Sequence, residues 1–219
     1  MPLTFIFCRH GPNFDPGDTV LRIGARTDLP LSTTGRDKAD ALGRTLSARG
    51  FAPPSAVYVS PLRRTQETAT RALASAGVTN PPALQILTEF NEIDYGDDDG
   101  KPEDDLVARI GRDAIDAWER NSIMPAEWSP KPDTIIQNLR TVLTRLAALD
   151  RPDQRHMIWG VSSGGIIRFL GDPRLTNIVG WAMPRPDKIK VSPAHFAHLE
   201  YINHKWMIQS WNVNPDPKP

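Results

Sequence analysis

The chain has 219 residues, 39% of them hydrophobic, and its 26 Lys and Arg residues equal its 26 Asp and Glu residues in number. This length suits one sizeable hydrophobic core, so we expect a single domain over residues 1–213. The balanced charge argues against nucleic-acid binding, which uses an extended basic surface. A lone cysteine and the lack of a signal peptide or membrane-spanning run predict a cytoplasmic protein with no membrane partner.

The first predicted strand ends in a chemically suggestive sequence. Residues 3–11 read Leu-Thr-Phe-Ile-Phe-Cys-Arg-His-Gly, an apolar run that stops at Arg9, His10 and Gly11. Ligands of α/β sheets bind outside the carboxyl ends of the strands, and a glycine lets the backbone come close to a ligand. We therefore expect an anion site with His10 as a candidate nitrogen nucleophile. Cys8, inside the strand, is expected to be a buried structural thiol.

Strands and helices are predicted to alternate along the chain. Short apolar or β-branched runs bounded by turn residues predict strands at 3–11, 55–60, 84–87, 156–161, 195–201 and 205–211. Apolar spacing and capping residues predict helices at 36–48, from Ser60–Pro61 onward with Arg63 and Arg64 in the first turn, at 103–120, at 134–149 and from Gly164–Gly165 onward. This alternation, closed by two adjacent strands, indicates an α/β sheet that is mostly parallel with an antiparallel edge.

The connecting segments carry further expectations. Residues 12–34 are rich in Pro, Gly, Asp and Thr and predict a long loop. Residues 93–133, with an acidic stretch near their start, are expected to form a lid insertion over the site, a kind of element that often decides substrate choice. Asn203–His204 is expected to turn the last hairpin. The proline-rich tail 214–219 is expected to be disordered.

Phosphoryl transfer is the chemistry that the polar residues of these segments fit. It needs positive charge around the phosphoryl oxygens, an in-line nucleophile and a proton for the departing oxygen. Arg9 and Arg64 offer planar forks for phosphate oxygens, and neutral His10 could attack phosphorus. Glu92 could protonate the leaving alcohol and then deprotonate water. On chemistry alone Arg63 could replace Arg64, and Glu89 could replace Glu92.

Four segments, taken in order, resemble the histidine phosphatase superfamily, which includes the cofactor-dependent phosphoglycerate mutases: Arg9-His10-Gly11, 60–69, 91–96 and 161–168. The resemblance implies a three-layer α/β/α sandwich with a mostly parallel central sheet. It assigns the nucleophile to His10, the general acid to Glu92 and the phosphate pocket to Arg9, Gly11, Arg64 and the residue at position 163. It also implies that neither a metal nor an organic cofactor is needed, and that the partner is a small phosphorylated substrate or a phosphate anion. The oligomeric state is left open.

Position 163 departs from the family pattern. The family normally has a second histidine there, which completes the phosphate pocket, and this chain has Ser163. A serine hydroxyl is shorter, uncharged and donates only one hydrogen bond. Loss of a charged donor at such a site typically costs a factor of about 10²–10³ in rate. We therefore expect a phosphatase-type hydrolase that forms a phosphohistidine at His10 and is slow, altered in substrate or inactive.

Two alternatives compete with this interpretation. A pseudoenzyme that binds a phosphate ligand without turnover also fits Ser163, because the backbone amides at a helix start bind anions. A serine hydrolase with Ser162 as nucleophile fits the sequence Gly-Val-Ser-Ser-Gly at 160–164, which matches the G-x-S-x-G pattern. The serine hydrolase leaves Arg9-His10-Gly11 unexplained, and no His-Gly-Gly-Gly oxyanion segment precedes Ser162 in the sequence.

Overall fold

A seven-stranded sheet forms the centre of the computed structural model, which describes residues 2–151, 153–154 and 156–215. Its strands are β1 (Leu3–Arg9), β3 (Ala56–Val59), β4 (Leu84–Ile86), β6 (Met157–Ser162), β7 (Val179–Trp181), β8 (Phe196–Ile202) and β9 (Lys205–Val213). The strand order is β4-β3-β6-β1-β8-β9-β7. Strand β8 runs antiparallel to both neighbours, and the other pairs are parallel. The predicted mostly parallel sheet with an antiparallel edge is thus confirmed.

Helices cover both faces of this sheet. They are α1 (Thr33–Ala48), α2 (Arg63–Ser75), α3 (Glu103–Ile110), α4 (Arg112–Asn121), α5 (Pro132–Ala147) and α6 (Gly164–Ile167). Successive side chains of a strand point to opposite faces, so Ile6 and Cys8 pack with α1 and α2, while Phe5 and Phe7 pack with α5. The predicted three-layer arrangement follows from this division. The Cys8 thiol is buried, as expected, and burial raises its pKa.

Residues 93–133 form a packed cap on the α5 side of the sheet. The segment contains α3, α4 and strand β5 (Lys101–Pro102), which pairs with β2 (Leu21–Arg22) in a separate two-stranded sheet. Leu106, Ile115, Trp118 and Trp128 are at most 2% exposed and belong to the same apolar cluster as α5. The insertion therefore contributes to the core, and its action as a lid stays a prediction, as does the single domain over residues 1–213.

Three local differences from the sequence predictions have physical reasons. The helix expected at 103–120 is two helices, because Gly111 adopts φ +84°, outside the helical region. Helix α2 begins at Arg63 instead of Pro61, because Leu62 keeps an extended backbone with φ −75° and ψ 136°. The Ser60 hydroxyl accepts a hydrogen bond from the Leu62 amide at 3.3 Å and contacts Thr65 Oγ1 at 2.8 Å. Strand β7 is too short to give a periodic signal in the sequence.

The C-terminal segment is described as far as Pro215, whose carbonyl accepts a hydrogen bond from the Thr45 hydroxyl. Residues 216–219 lie outside the described residues, so the expected disorder of 214–219 stays a prediction. In the part of the chain that the structure describes, every helix is too short or too polar to cross a membrane.

The sheet brings two strand ends together. In the parallel pair of β1 and β6, Arg9 is in register with Ser162, and the His10 amide donates to the Ser162 carbonyl at 3.0 Å. Gly11 then packs against α1, where an added Cβ would lie 2.6 Å from the Gly35 carbonyl oxygen. The segments 9–11 and 162–165 consequently share one edge of the sheet.

Candidate active site

His10 lies at the carboxyl end of β1 and is 5% exposed. Its Nδ1 is 2.7 Å from the Gly11 carbonyl oxygen, and its Nε2 accepts a hydrogen bond from Arg64 Nε at 3.2 Å. A carbonyl can only accept, so we assign the proton to Nδ1 and the lone pair to Nε2. Burial, followed by the charges of Arg64 and Arg9, holds the pKa of His10 well below 6.5. The ring is therefore a neutral imidazole with its nucleophilic nitrogen toward Arg64.

Arg64 is fully buried at the start of α2. Besides His10, its guanidinium donates to the carbonyls of Thr27 at 2.9 Å and Gly24 at 3.0 Å. These bonds fix the guanidinium beside the imidazole. Arg63, the alternative on chemistry alone, is exposed, and its backbone amide donates to Asp28.

Arg9 is the last residue of β1, and its side chain lines the cavity that contains His10. Its NH1 donates to the Val191 carbonyl at 2.9 Å, and its Nε is buried without a partner among the described residues. A Cβ at Gly164 would lie 3.0 Å from Arg9 Cζ. The missing side chain at position 164 thus makes room for the Arg9 guanidinium.

Glu92 is 6% exposed and lines the same cavity. One carboxylate oxygen accepts from the Ile93 amide at 2.9 Å and the other from the Gly165 amide at 3.5 Å. A Cβ at Gly165 would lie 2.2 Å from Glu92 Oε1, so a larger residue at this position would displace the carboxylate. The alternative carboxylate, Glu89, instead pairs with Arg145 at 3.3 Å.

Gly11 and Ser163, which were also predicted to bind phosphate, do not line the cavity as Arg9 does. The Gly11 amide donates to Thr68 Oγ1 at 3.1 Å, and the close approach that requires glycine there is to α1. Ser163 is fully buried, and its hydroxyl has no partner among the described residues. The cavity wall at this point is formed by Gly164 and Gly165.

Ser162 does not have the surroundings of a serine nucleophile. Its hydroxyl is fully buried and donates to the Phe90 carbonyl at 2.8 Å. A serine nucleophile needs a histidine base, and three histidines follow Ser162 among the described residues. His195 Nδ1 is 3.1 Å from the Pro193 carbonyl oxygen, the His198 ring contacts Phe51, and His204 is exposed in the hairpin turn. The geometry therefore gives no support to the serine hydrolase alternative.

The cavity has a volume of about 610 Å³ and carries more charged groups than the sequence indicated. Its unpredicted polar lining consists of Asn13, Arg22, Tyr95, Glu103, Glu119, Arg168 and Lys190. Arg168 is the last residue of the segment 161–168 that resembles the family. That position was the only feature of the sequence that could have indicated a role for Arg168 in the site. Within the described ranges there is no group of three or more His, Cys, Asp or Glu residues suited to a metal ion.

Comparison with proteins of known sequence gives two kinds of relative. The chain is 24% identical over 189 residues to the uncharacterized phosphatase PhoE of Bacillus subtilis. The aligned region covers 86% of this chain and 84% of that protein. It is 32% identical over 129 residues to a 2,3-bisphosphoglycerate-dependent phosphoglycerate mutase of Methylobacterium, over 57% of this chain and 61% of the mutase. A Brucella ovis mutase matches at 33% identity, over 59% of its length. The matches to the mutases thus span about three fifths of those proteins.

Solved structures share the fold. A mycobacterial glucosyl-3-phosphoglycerate phosphatase in complex with inorganic phosphate superposes with a TM-score of 0.73 at 20% identity, over 99% of this chain and all of that chain. A Bacillus anthracis phosphoglycerate mutase gives a TM-score of 0.76 at 18% identity, over 96% of this chain and 92% of that chain.

The family assignment comes from the match to a family model, which extends over residues 5–214 and so includes the central fold apart from the first two residues of β1. The chain belongs to the histidine phosphatase superfamily, branch 1, a family of phosphatase-type enzymes.

Proposed function

We propose that the protein hydrolyses a phosphomonoester through a phosphohistidine at His10. The observation that carries the proposal is the neutral imidazole of His10, which lines the same cavity as Arg9 and Glu92 and whose Nε2 accepts a hydrogen bond at 3.2 Å from Nε of the buried Arg64. A nucleophile, positive charge and a proton donor are the requirements of phosphoryl transfer. They are met here by side chains from β1, α2 and the segment after β4.

The proposed first step transfers the phosphoryl group to the protein. His10 Nε2 attacks phosphorus, the P–O bond to the alcohol breaks, and protonated Glu92 gives its proton to the departing oxygen. The Arg64 Nε–H must leave the imidazole lone pair for this attack, and a phosphoryl oxygen is the natural acceptor for it. Substrate binding would then free the nucleophile and neutralise the phosphate at once.

The second step releases inorganic phosphate. Water attacks phosphorus, Glu92 takes a proton from the water, and the P–N bond breaks to regenerate neutral His10. Arg9 and Arg64 stay charged in both steps, since a guanidinium does not lose its proton near neutral pH. Each atom and proton is accounted for by the substrate, water and these side chains, without a metal or an organic cofactor.

Ser163 is the reason to propose impaired turnover. Its buried hydroxyl has no partner in the part of the chain that the structure describes, and it does not contribute to the cavity wall. The same observation favours a second candidate function, a phosphate-binding pseudoenzyme. The amides of Gly164 and Gly165 at the start of α6 would still present donors to an anion.

The test combines a chromogenic substrate with a binding probe. We expect His10→Ala to abolish hydrolysis of p-nitrophenyl phosphate and Arg64→Ala to weaken vanadate binding. Ser163→His should raise the hydrolysis rate by about 10²–10³-fold, whereas Ser163→Gln, close to histidine in size but uncharged, should not. Vanadate affinity that neither His10→Ala nor Arg64→Ala changes would overturn the site.

The same assay separates the alternatives. A wild-type protein that binds vanadate without turnover, and gains turnover in Ser163→His, fits the impaired phosphatase. Vanadate binding without turnover in either form fits the pseudoenzyme. Hydrolysis of p-nitrophenyl acetate that Ser162→Ala abolishes would instead establish the serine hydrolase.

A further inference from the structure

The backbone of residues 24–27 fixes the direction of the Arg64 side chain. Arg64 NH1 donates to the Thr27 carbonyl at 2.9 Å, and NH2 donates to the Gly24 carbonyl at 3.0 Å. A guanidinium is planar, so bonds at its two terminal nitrogens also fix the direction of the Nε–H group. That group donates to His10 Nε2 at 3.2 Å. The position of the 24–27 loop therefore decides how Arg64 meets the proposed nucleophile.

Asp99, a residue of the cap, binds this loop with both of its carboxylate oxygens. Oδ1 accepts hydrogen bonds from the Gly24 amide at 3.0 Å and from the Thr27 hydroxyl, and Oδ2 accepts from the Arg26 amide at 3.1 Å. Gly24 and Thr27 thus donate to Asp99 and accept from Arg64. A hydrogen bond to an ionised acceptor is roughly twice as strong as one between neutral groups, so the charge of Asp99 matters for how firmly the loop is held.

Close packing and charge both link Asp99 to Arg64. A Cβ at Gly24 would lie 2.5 Å from the Ile93 carbonyl oxygen and 2.6 Å from Asp99 Oδ2, so the loop lies directly against the cap. The Ala25 amide donates to the same Ile93 carbonyl at 3.0 Å. Burial lowers the pKa of Arg64, and the negative charge of Asp99 is among those that oppose this shift. A loop released from Asp99 would therefore alter both the placement and the surroundings of the guanidinium.

We propose that Asp99 is a positioning residue for the reaction at His10. It holds the 24–27 loop, and the carbonyls of this loop direct the Arg64 guanidinium toward the imidazole and toward the phosphoryl group that is attacked. Asp99 does not line the cavity that contains His10, so it acts through the loop and through Arg64. The inference rests on the proposed function for its meaning in catalysis, and it makes the cap a part of the machinery that aligns the nucleophile.

The test replaces Asp99 by its amide and measures binding, which does not require turnover. Whichever way the new side chain of Asp99→Asn lies, its NH2 group faces the amide of Gly24 or that of Arg26, so at least one hydrogen bond of the loop is lost. We expect vanadate, measured by calorimetry, to bind about tenfold more weakly, which is the effect of losing one charge-assisted hydrogen bond to the anion. Thr27→Val removes one bond and keeps the charge of Asp99, so it should weaken vanadate binding less.

The nitrogen-15 NMR signal of His10 Nε2 gives a second readout, which a loss of folding stability alone would not move. An imidazole nitrogen that accepts a hydrogen bond resonates upfield of one that accepts none. We expect the signal to move downfield in Asp99→Asn, toward its position in Arg64→Ala, where the donor is absent. His10→Gln lacks the signal and so provides its assignment.

Two neighbouring carboxylates serve as controls. Asp97 is exposed on the same turn of the cap, so Asp97→Asn makes the same chemical change at a solvated side chain. Asp98 is buried and pairs with Arg109, so Asp98→Asn should lower folding stability. Both variants should keep the wild-type vanadate Kd and the wild-type His10 signal, and urea unfolding of each variant checks that folded protein is measured. Changes in Asp98→Asn as large as those in Asp99→Asn would overturn the inference, because stability of the cap would then explain them.

Failure of this inference is distinguishable from failure of the proposed function. In a protein that binds vanadate, both readouts must change in Asp99→Asn, and one that stays at its wild-type value overturns the role of Asp99 while leaving the His10 site standing. A protein that does not bind vanadate contradicts the proposed function, and the His10 signal then decides alone. A downfield shift in Asp99→Asn would support the positioning, and an unmoved signal would overturn it as well.

Discussion

At the scale of single residues, Gly165 sets the position of the Glu92 carboxylate. A methyl group there would lie 2.2 Å from Glu92 Oε1, so Gly165→Ala must push the carboxylate away. A displacement of about 1 Å in a reacting group can cost about 100-fold in rate. We therefore expect Gly165→Ala to lower kcat for p-nitrophenyl phosphate by about 100-fold. A loss of folding stability alone would not produce a fall of that size in the protein that remains folded.

Gly77→Ala is the matched control for this prediction. Gly77 has φ +74° and open space around it, so alanine costs about 1 kcal/mol of backbone strain without touching the cavity. Urea unfolding and steady-state kinetics on both variants separate the two effects. Equal kcat values in Gly165→Ala and the wild type would show that Glu92 is not held by this contact.

The residues that could be predicted from the sequence are those at strand ends. His10, Arg9 and Glu92 follow or end short apolar runs, and they line one cavity. Arg22 and Glu119 could not be predicted, because a long loop and the cap carry them to the cavity. The position of such a segment in the fold depends on tertiary packing, and the spacing of apolar residues within the segment does not indicate it.

At the scale of elements, the cap is fastened by a buried carboxylate. Asp98 is 1% exposed and accepts hydrogen bonds from Arg109 Nε at 2.6 Å and Trp128 Nε1 at 2.8 Å. These bonds join the turn at Gly96–Asp98 to α3 and to the segment before α5. Asp98→Asn removes the charge that pairs with Arg109, and we expect a loss of about 2–3 kcal/mol in the free energy of unfolding.

Glu127→Gln provides the comparison for Asp98→Asn. Glu127 pairs with the same Arg109 but its side chain is 67% exposed. Exposed pairs contribute about 0–1 kcal/mol. Urea denaturation followed by tryptophan fluorescence measures both variants. Losses of similar size in the two would show that burial of Asp98 is not what fastens the cap.

The elements themselves were largely predictable, and the largest exception has a local cause. Helix α5 has a clear apolar stripe, and the turn at Asn203–His204 adopts positive φ at both residues, as a tight hairpin requires. The helix expected at 103–120 failed at Gly111, whose φ of +84° ends one helix and starts the next. Isolated glycines are tolerated inside helices, so the sequence alone did not indicate which role this one plays.

At the scale of the whole molecule, the neutral nucleophile makes stability depend on pH. The pKa of His10 is well below 6.5 in the folded protein because of burial, Arg64 and Arg9. The unfolded chain takes up a proton near pH 6.5, so it is favoured as the pH falls below that value. Below that value the slope approaches about 1.4 kcal/mol per pH unit for as long as His10 stays neutral in the folded protein.

His10→Gln should remove this part of the pH dependence. The free energy of unfolding of the wild type is expected to fall more steeply from pH 6.5 to pH 5 than that of the variant. His195 and His198, whose pKa values are also lowered mainly by burial, add to the slope in both proteins. Parallel curves for the two proteins would mean that His10 is protonated in the native state.

The placement of β1 has a consequence for synthesis on the ribosome. This first strand is flanked by β6 and β8, which lie near the other end of the chain. One hydrogen-bonding edge therefore stays open until β6 has emerged and the other until β8 has emerged, and contacts so distant in sequence form slowly. Open strand edges are sites of aggregation, so a nascent chain stalled before β8 would expose the β8-facing edge of Leu3–Arg9.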